Sequence, residues 1–224
     1  MTKTIRATFW PMVAWLLWSA SAAGAVDSAT THPRRYSNAD FYVGGVFRKE
    51  VAKDAIAALL EAHGDHLTPA MREKLWISDF GMGDFEHLGL SSITWVNRQD
   101  EGYYAMTMYL LPGQMLPEHR HLPIAEPPVR PAKHESWRVL HGWAYNFSSV
   151  GPASVSLPAT PKRFGPIQST HMDIHRAGEV LSLRRLESWH FMMAGPQGAI
   201  VDEYGNFQDR RGWRSSNPAV HIGS

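Results

Sequence analysis

Residues 111–121 read LPGQMLPEHRH, and the pair His119 and His121 that ends this stretch decides how the chain is interpreted. On a β-strand, residues i and i+2 point to the same face, so both imidazoles can converge on one cation. A His-x-His pair is by itself a weak signal, because the two side chains could equally lie exposed at the end of a strand. Gly113 lies six residues before His119, a spacing that strengthens the interpretation as a metal site.

Short runs rich in β-branched and aromatic residues surround this pair and alternate with Gly, Pro, Asn and Asp. They predict β-strands at residues 92–96, 103–111, 137–147, 180–186 and 198–203. The proline-bearing stretches 122–132 and 151–165 are predicted loops, because proline removes a donor from the strand ladder.

Two helices are predicted before the strands. Apolar residues recur at helical spacing over residues 48–62, and Thr68-Pro69 is a typical start for a second helix that runs to about Trp76. A short helical region followed by many strands predicts an all-β sandwich or barrel and not a parallel α/β sheet.

The N-terminal segment has the pattern of an export signal. Lys3 and Arg6 precede an apolar stretch, interrupted by one proline, that ends in small residues at Ala25. We expect residues 1–25 to be a signal peptide, with an uncleaved membrane anchor as the alternative. Cleavage leaves residues 26–224, or 224 − 25 = 199 residues, which we expect to form one domain that includes the N-terminal helices. The protein is therefore expected to be exported, to the periplasm or outside the cell, without stable membrane insertion.

Composition excludes several kinds of function. The full chain has 22 Lys and Arg against 21 Asp and Glu, a net charge of +1, and loss of the two basic residues of the signal changes it to −1. A charge near zero argues against nucleic acid as a partner. The chain has no cysteine, which excludes disulfides, thiolate metal ligands and cysteine nucleophiles.

The full pattern of glycines, histidines and one glutamate resembles the metal signature of the cupin superfamily. Its form, G-x5-H-x-H, then E-x6-G, then G…H, is met by Gly113, His119, His121, Glu135, Gly142, Gly178 and His190. Within the cupins, the chain is most similar to the D-lyxose isomerase-like sugar isomerases. This similarity covers roughly residues 40–220 and is carried by WISDFGMGDFEHL (76–88), LPGQMLPEHRH (111–121), KHE (133–135) and AGPQGAIVDEY (194–204).

The resemblance implies a double-stranded β-helix, the cupin jelly roll, with a divalent cation inside one end. The ligands that it implies are His119, His121, Glu135 and His190. Imidazole and carboxylate ligands suit Mn, Fe, Co, Ni or Zn, and we expect Mn. The resemblance also implies a general base at Glu203 and a lysine at Lys133 that supplies a positive charge or a proton near the substrate oxygens.

Three assignments have alternatives. Glu126 follows His121 at nearly the short spacing of many cupins, but Glu135 is preferred because it alone has a glycine at the required distance. Asp202 competes with Glu203 for the inward position, since successive strand residues face opposite sides and the flanking residues do not decide. Lys133 could equally be an ordinary surface lysine.

Three tryptophans lie near the proposed pocket in the sequence. Most of the nine tryptophans are expected in the core, and Trp137, Trp143 and Trp189 are the candidates for a wall on which a sugar stacks.

The leading functional hypothesis is an exported, metal-dependent isomerase that interconverts an aldose and a ketose. Its partner would be a small-molecule sugar or sugar acid, and a homodimer is expected because pairing would cover an exposed sheet edge. A non-catalytic carbohydrate-binding cupin and an Fe(II)-dependent cupin dioxygenase are the alternatives. Oxygen uptake would separate the dioxygenase from the isomerase, and binding without turnover would indicate the binding protein.

Overall fold

A curled antiparallel sheet dominates the computed structural model, which describes residues 35–222. The predicted signal peptide lies outside the described residues. The elements in chain order are α1 (Asn38–Phe41), β1 (Tyr42–Val43), β2 (Val46–Phe47), α2 (Lys49–Ala62), α3 (Pro69–Lys74), β3 (Trp76–Ser78), β4 (Leu90–Arg98), β5 (Tyr103–Leu110), β6 (His119–His121), β7 (Glu135–Ser148), β8 (His171–Arg176), β9 (Val180–Ser182), β10 (His190–Asn206), a 3₁₀ turn (Arg210–Gly212) and β11 (Trp213–Ser215).

The main sheet has nine strands, six of which are hydrogen-bonded one after another. Its order is β11-β6-β10-β5-β4-β3, and β7 pairs with β10, β8 and β9. β1 and β2 form a separate hairpin. The expected all-β architecture with a short N-terminal helical region is confirmed.

The two predicted helices are present, with one difference at an end, and the short helix α1 was not predicted. α2 buries Ala52, Ile56 and Leu59 on one face, and the chain leaves the helix at Gly64, whose φ of +80° is readily adopted by glycine. The side chain of Thr68 accepts a hydrogen bond from the Met71 amide and so caps α3. The predicted end of this helix at Trp76 is wrong, because Trp76 already pairs with β4 as the first residue of β3.

Three of the five predicted strands match β4, β5 and β7 to within two residues at each end, and the other two differ more. The strand predicted at 180–186 ends at Ser182, because the chain then turns away and leaves Leu186 exposed. The strand predicted at 198–203 is the second half of β10. Its first half was missed because Pro196 interrupts the pattern, and the pairing of β10 with β7 shifts register between Ala194 and Ala199. The predicted loops at 122–132 and 151–165 are confirmed.

The sheet has a hydrophobic core on each side. Phe147, Phe191 and Val201 belong to the core enclosed by the sheet, whereas Ile200 packs into a second core together with Leu59 of α2. Because Ile200 and Val201 are consecutive in β10, both faces of this strand are buried at this point. Side chains alternate along a strand, so Glu203, two residues after Val201, also faces the enclosed side.

The described residues contain no candidate for a membrane-spanning helix, because none of their helices combines sufficient length with sufficient hydropathy.

The enclosed core yields a test of stability. Phe147 and Phe191 are stacked with ring centroids 4.1 Å apart, and both side chains are fully buried. We expect Phe147→Ala to lower the free energy of unfolding by about 3–5 kcal/mol, through lost burial and the cavity that remains. Urea denaturation measures this loss. Val155→Ala, at an exposed position in the 151–165 loop, is the control and should change stability by less than about 0.5 kcal/mol. Equal effects of the two variants would contradict this account of the core.

Candidate active site

Three strands bring the predicted ligands together. β6 carries His119 and His121, β7 begins at Glu135, and β10 begins at His190, which is in register with His119. One nitrogen or oxygen atom from each side chain lies within 4.8 Å of the others. All four side chains are buried, the most accessible being His119 at 6%.

The arrangement of donor atoms fits a metal ion. His119 Nδ1 lies 2.9 Å from the carbonyl oxygen of Pro117, and His190 Nδ1 lies 2.9 Å from that of Ser188. When Nδ1 donates to these carbonyls, Nε2 of each ring is left with a free lone pair.

Three buried atoms of the cluster lack a hydrogen-bond partner among the described residues: His121 Nε2, His190 Nε2 and Glu135 Oε1. The first and last of these lie 2.6 Å apart, close enough for an ion pair but without hydrogen-bond geometry. Unpartnered buried polar atoms cost free energy, and a divalent cation would satisfy all three. Nitrogen and carboxylate donors without sulfur suit a first-row divalent ion or zinc.

The structure separates the two candidate glutamates. Glu126 is exposed in the 122–132 loop and does not belong to the cluster, whereas Glu135 is 2% exposed and belongs to it. Glu135 is therefore the carboxylate that is positioned as a ligand. That it binds a metal stays a prediction.

The strand that carries the two histidines is held at its start by Glu118. This side chain is fully buried, and its carboxylate accepts hydrogen bonds from the amides of Gln168 and Ser169 at 2.7–3.0 Å. One edge of β6 pairs with β10 and the other edge pairs with β11, so β6 is fixed on both sides.

Glu203 and Lys133 lie beside the ligands. Lys133 Nζ contacts Glu203 Oε1 and lies 3.2 Å from Glu135 Oε1, and Trp137 Nε1 donates to Glu203 Oε2 at 3.3 Å. Lys133 is 5% exposed, which is not the state of an ordinary surface lysine.

Asp202 faces the other way. It accepts a hydrogen bond from Thr107 Oγ1 at 2.7 Å and forms an ion pair with Arg138 at 3.0 Å on the outer side of the sheet. Glu203 is thus the acid on the enclosed side, and its catalytic role stays a prediction.

The two buried carboxyl groups differ in their electrostatics. Burial raises the pKa of Glu203. The Lys133 ammonium lowers this pKa and the charge of Glu135 raises it further, so the pKa stays above its usual range. Burial acts in the same direction on Glu135, but Lys133 and His121 outweigh it and hold that pKa well below its usual range. Burial would lower the pKa of Lys133, yet the two carboxylates raise it, which keeps the ammonium charged. A carboxylate with a raised pKa suits proton transfer, and one with a lowered pKa suits ligation.

A cavity of about 200 Å³ gives access to this cluster. His119, His121, Lys133 and Glu203 are its buried end. Its apolar lining consists of Trp76, Phe80, Leu90, Met106, Leu116, Trp213 and Ile222. The remaining polar lining consists of Ser92, Thr94, Asn97, Tyr104, Gln208 and Arg210.

The predicted tryptophan wall is wrong. Trp143 packs against Tyr145, the ring of Trp189 lies under the Arg120 guanidinium, and Trp137 lies behind the cluster against His190. None of the three lines the cavity.

Two other tryptophans, Trp76 and Trp213, line the cavity instead. The ring of Trp213 stacks on His119 with centroids 5.4 Å apart, because β11 pairs with β6. Sequence reasoning missed Trp213 since it reaches the site by strand pairing far along the chain, for which no local signal exists.

A curled antiparallel sheet that holds three imidazoles and one carboxylate inside one end defines a cupin with a candidate metal site, and the predicted double-stranded β-helix is confirmed. The L-ribose isomerase of Cellulomonas parahominis, solved without ligand, shares this fold with a TM-score of 0.59 at 16% identity, over 78% of this chain and 93% of that one. No family model matches the chain.

Sequence relatives identify the family. The D-lyxose/D-mannose isomerase of Thermosediminibacter oceani is 31% identical over 162 residues, which are 72% of this chain and 86% of that protein. The D-lyxose ketol-isomerase of Cohnella laeviribosi is 31% identical over 154 residues, 68% of this chain and 81% of that protein. The chain belongs to the D-lyxose isomerase family, and the predicted enzyme class, an aldose–ketose isomerase, is confirmed at this level.

Metal binding tests the choice between the two glutamates. Glu135→Gln removes the charged oxygen at the centre of the cluster, and we expect it to weaken Mn(II) binding by more than about tenfold. Glu126→Gln is the control and should bind like the unmodified protein. Isothermal titration calorimetry on metal-stripped protein measures both affinities, and near-UV circular dichroism checks that each variant is folded. Weakened binding only in Glu126→Gln would reverse the assignment.

Proposed function

We propose that the protein isomerises a free monosaccharide with the configuration of D-lyxose or D-mannose, using Mn(II) held by His119, His121, Glu135 and His190. The observation that carries the proposal is the position of Glu203, a buried acid beside a cluster of metal-ligating atoms in a cavity large enough for a sugar. The names of the relatives support the choice of sugar.

Glu203 is the proton carrier in this mechanism. A divalent ion in the site would supply Lewis-acid polarisation of the substrate carbonyl. Glu203 takes the proton from C2 of the open-chain aldose and returns it to C1, while a hydroxyl proton moves from O2 to O1. The sugar is neither oxidised nor reduced overall. The raised pKa of Glu203 brings its basicity closer to what proton abstraction near neutral pH requires.

Lys133 and Trp137 orient the base. Lys133 contacts one carboxylate oxygen of Glu203 and Trp137 donates to the other, so the carboxylate cannot rotate freely. An ammonium has three N–H donors. Lys133 donates one of them to Glu203 and forms an ion pair with Glu135 at 3.2 Å. A remaining donor can reach a substrate oxygen, where it stabilises developing negative charge.

The apolar part of the cavity lining offers water no hydrogen-bond partner. Leu90, Met106 and Leu116 are each no more than 8% exposed. A drier site strengthens the interactions of Lys133 with the carboxylate groups and with substrate oxygens.

Turnover tests the role of Glu203. With Mn(II)-loaded protein, D-lyxose or D-mannose and D2O, NMR should show conversion to the ketose with deuterium at C1 or C2. Glu203→Gln removes the base and should lower kcat by about 10²- to 10⁴-fold. Asp202→Asn, the neighbouring acid on the outer side, is the matched control and should leave kcat close to that of the unmodified protein.

The outcome also separates the alternative functions. Sugar binding without turnover, unaffected by Glu203→Gln, would indicate a binding protein, and Fe(II)-dependent oxygen uptake would indicate a dioxygenase. Reloading metal-stripped protein with Mn, Fe, Co, Ni or Zn in the same assay tests the choice of ion, and Mn should give the highest kcat.

We also propose that the mature protein is exported and dimeric. The basic and apolar pattern of residues 1–25 and the cleavage signal at Ala25 support export, and coverage of a sheet edge supports a homodimer. Native mass spectrometry of protein purified from the periplasm or medium should give twice the mass of residues 26–224. Protein found in the cytosol with residues 1–25 attached would contradict export, and a mass of one chain would contradict the dimer.

A further inference from the structure

Two cationic side chains line the cavity, and only one of them has carboxylate partners within the site. Lys133 is buried between Glu135 and Glu203, so its charge is neutralised within the site. Arg210 also lines the cavity but is exposed, so it lies at the part of the cavity that opens to solvent. Within residues 35–222, no hydrogen bond, ion pair or ring contact of the Arg210 side chain is found. The adjacent Arg211, in contrast, is paired with a carboxylate, that of Asp209, at 2.7 Å.

The backbone that carries Arg210 is fixed. The Gln208 amide donates to Asn97 Oδ1, and Asn97 Nδ2 donates back to the Gln208 carbonyl, both at 3.0 Å. On the other side, the Gly212 amide donates to the Asp209 carbonyl, and the Gly212 carbonyl accepts from the Leu122 amide at 2.8 Å. Arg210 is therefore presented by a backbone turn that is held at both ends.

The exposed end of the cavity favours a negative charge. Asn97 and Gln208 line it beside Arg210 and are neutral, and among the described lining residues the only carboxylate is Glu203, at the buried end. A neutral sugar would leave the guanidinium without a charged partner. A carboxylate or a phosphate matches the planar fork of its N–H donors.

We propose that the substrate is an anionic aldose, with a carboxylate or phosphate group at the end of the carbon chain opposite the carbonyl, and that Arg210 determines this specificity. The inference rests on the proposed function, because C1 and C2 must lie at Glu203 for the far end of the sugar to reach Arg210. The anionic group does not react, and the proton moves between C2 and C1 as in a neutral sugar.

Three substrates that differ only at C6 test the inference: D-mannose, D-mannuronate and D-mannose 6-phosphate. For the Mn(II)-loaded full chain, we expect kcat/KM for at least one of the anionic sugars to exceed that for D-mannose by about tenfold. The better of the two shows whether the group is a carboxylate or a phosphate.

Variants of Arg210 assign the preference to this side chain. Arg210→Gln should lower the ratio of kcat/KM for the anionic sugar to that for D-mannose about tenfold, and Arg210→Glu should lower it further. Arg185→Gln is the matched control, since Arg185 is also exposed but lies outside the cavity, and it should leave the ratio unchanged.

The possible failures are distinguishable. Turnover of D-mannose that exceeds turnover of both anionic sugars, or a ratio that Arg210→Gln and Arg210→Glu leave unchanged, overturns this inference and leaves the isomerase intact. If neither D-lyxose nor any of the three test substrates is converted, the proposed function is overturned, and the inference falls with it.

Discussion

The arrangement of the site depends on the ammonium group of Lys133 between the carboxylates of Glu135 and Glu203. Two buried carboxylates at this separation would repel each other, and burial alone would favour their protonated forms. The ammonium lowers the pKa of both carboxyl groups. At Glu135 the neighbouring His121 adds to this effect and the pKa falls well below its usual range, whereas burial and the charge of Glu135 keep the pKa of Glu203 raised. One shared cation and unequal neighbours thus give two chemically identical groups different properties, one suited to hold a metal and the other to move a proton.

Strand β10 connects this electrostatic unit to the fold. It contributes His190 at its start and Glu203 near its end, and it pairs with β5, β6 and β7. Between these two residues its register with β7 shifts. There a Cβ on Gly142 would lie 2.1 Å from the Gly198 carbonyl oxygen, so no side chain fits at Gly142. The glycine of the sequence signature is therefore required by the close approach of two strands that both carry site residues.

The sequence predicted what depends on local spacing and missed what depends on distant pairing. His119 and His121 are two apart on a strand, and Glu135 is identified by its distance from Gly142, so these were accessible. The choice between Asp202 and Glu203 was not accessible. Alternation of apolar residues marks the inner face only when the outer face is polar, and α2 covers part of the outer face of β10 with a second core. The predicted tryptophan wall failed for a related reason, because proximity in sequence to a ligand does not place a side chain in the same cavity.

The two-sided support of β6 has a consequence for how the protein reaches its native state. This strand is three residues long, and the segments that hold it, Gln168–Ser169, the start of β10 and β11, all follow it by about 50 residues or more. Loops of that length close slowly, since the entropy of closure is lost before the contacts form. His119 and His121 consequently lie on a strand whose two neighbours must both be recruited from far along the chain. A chain shortened before Trp213 would lose one of the two strands that flank the histidines.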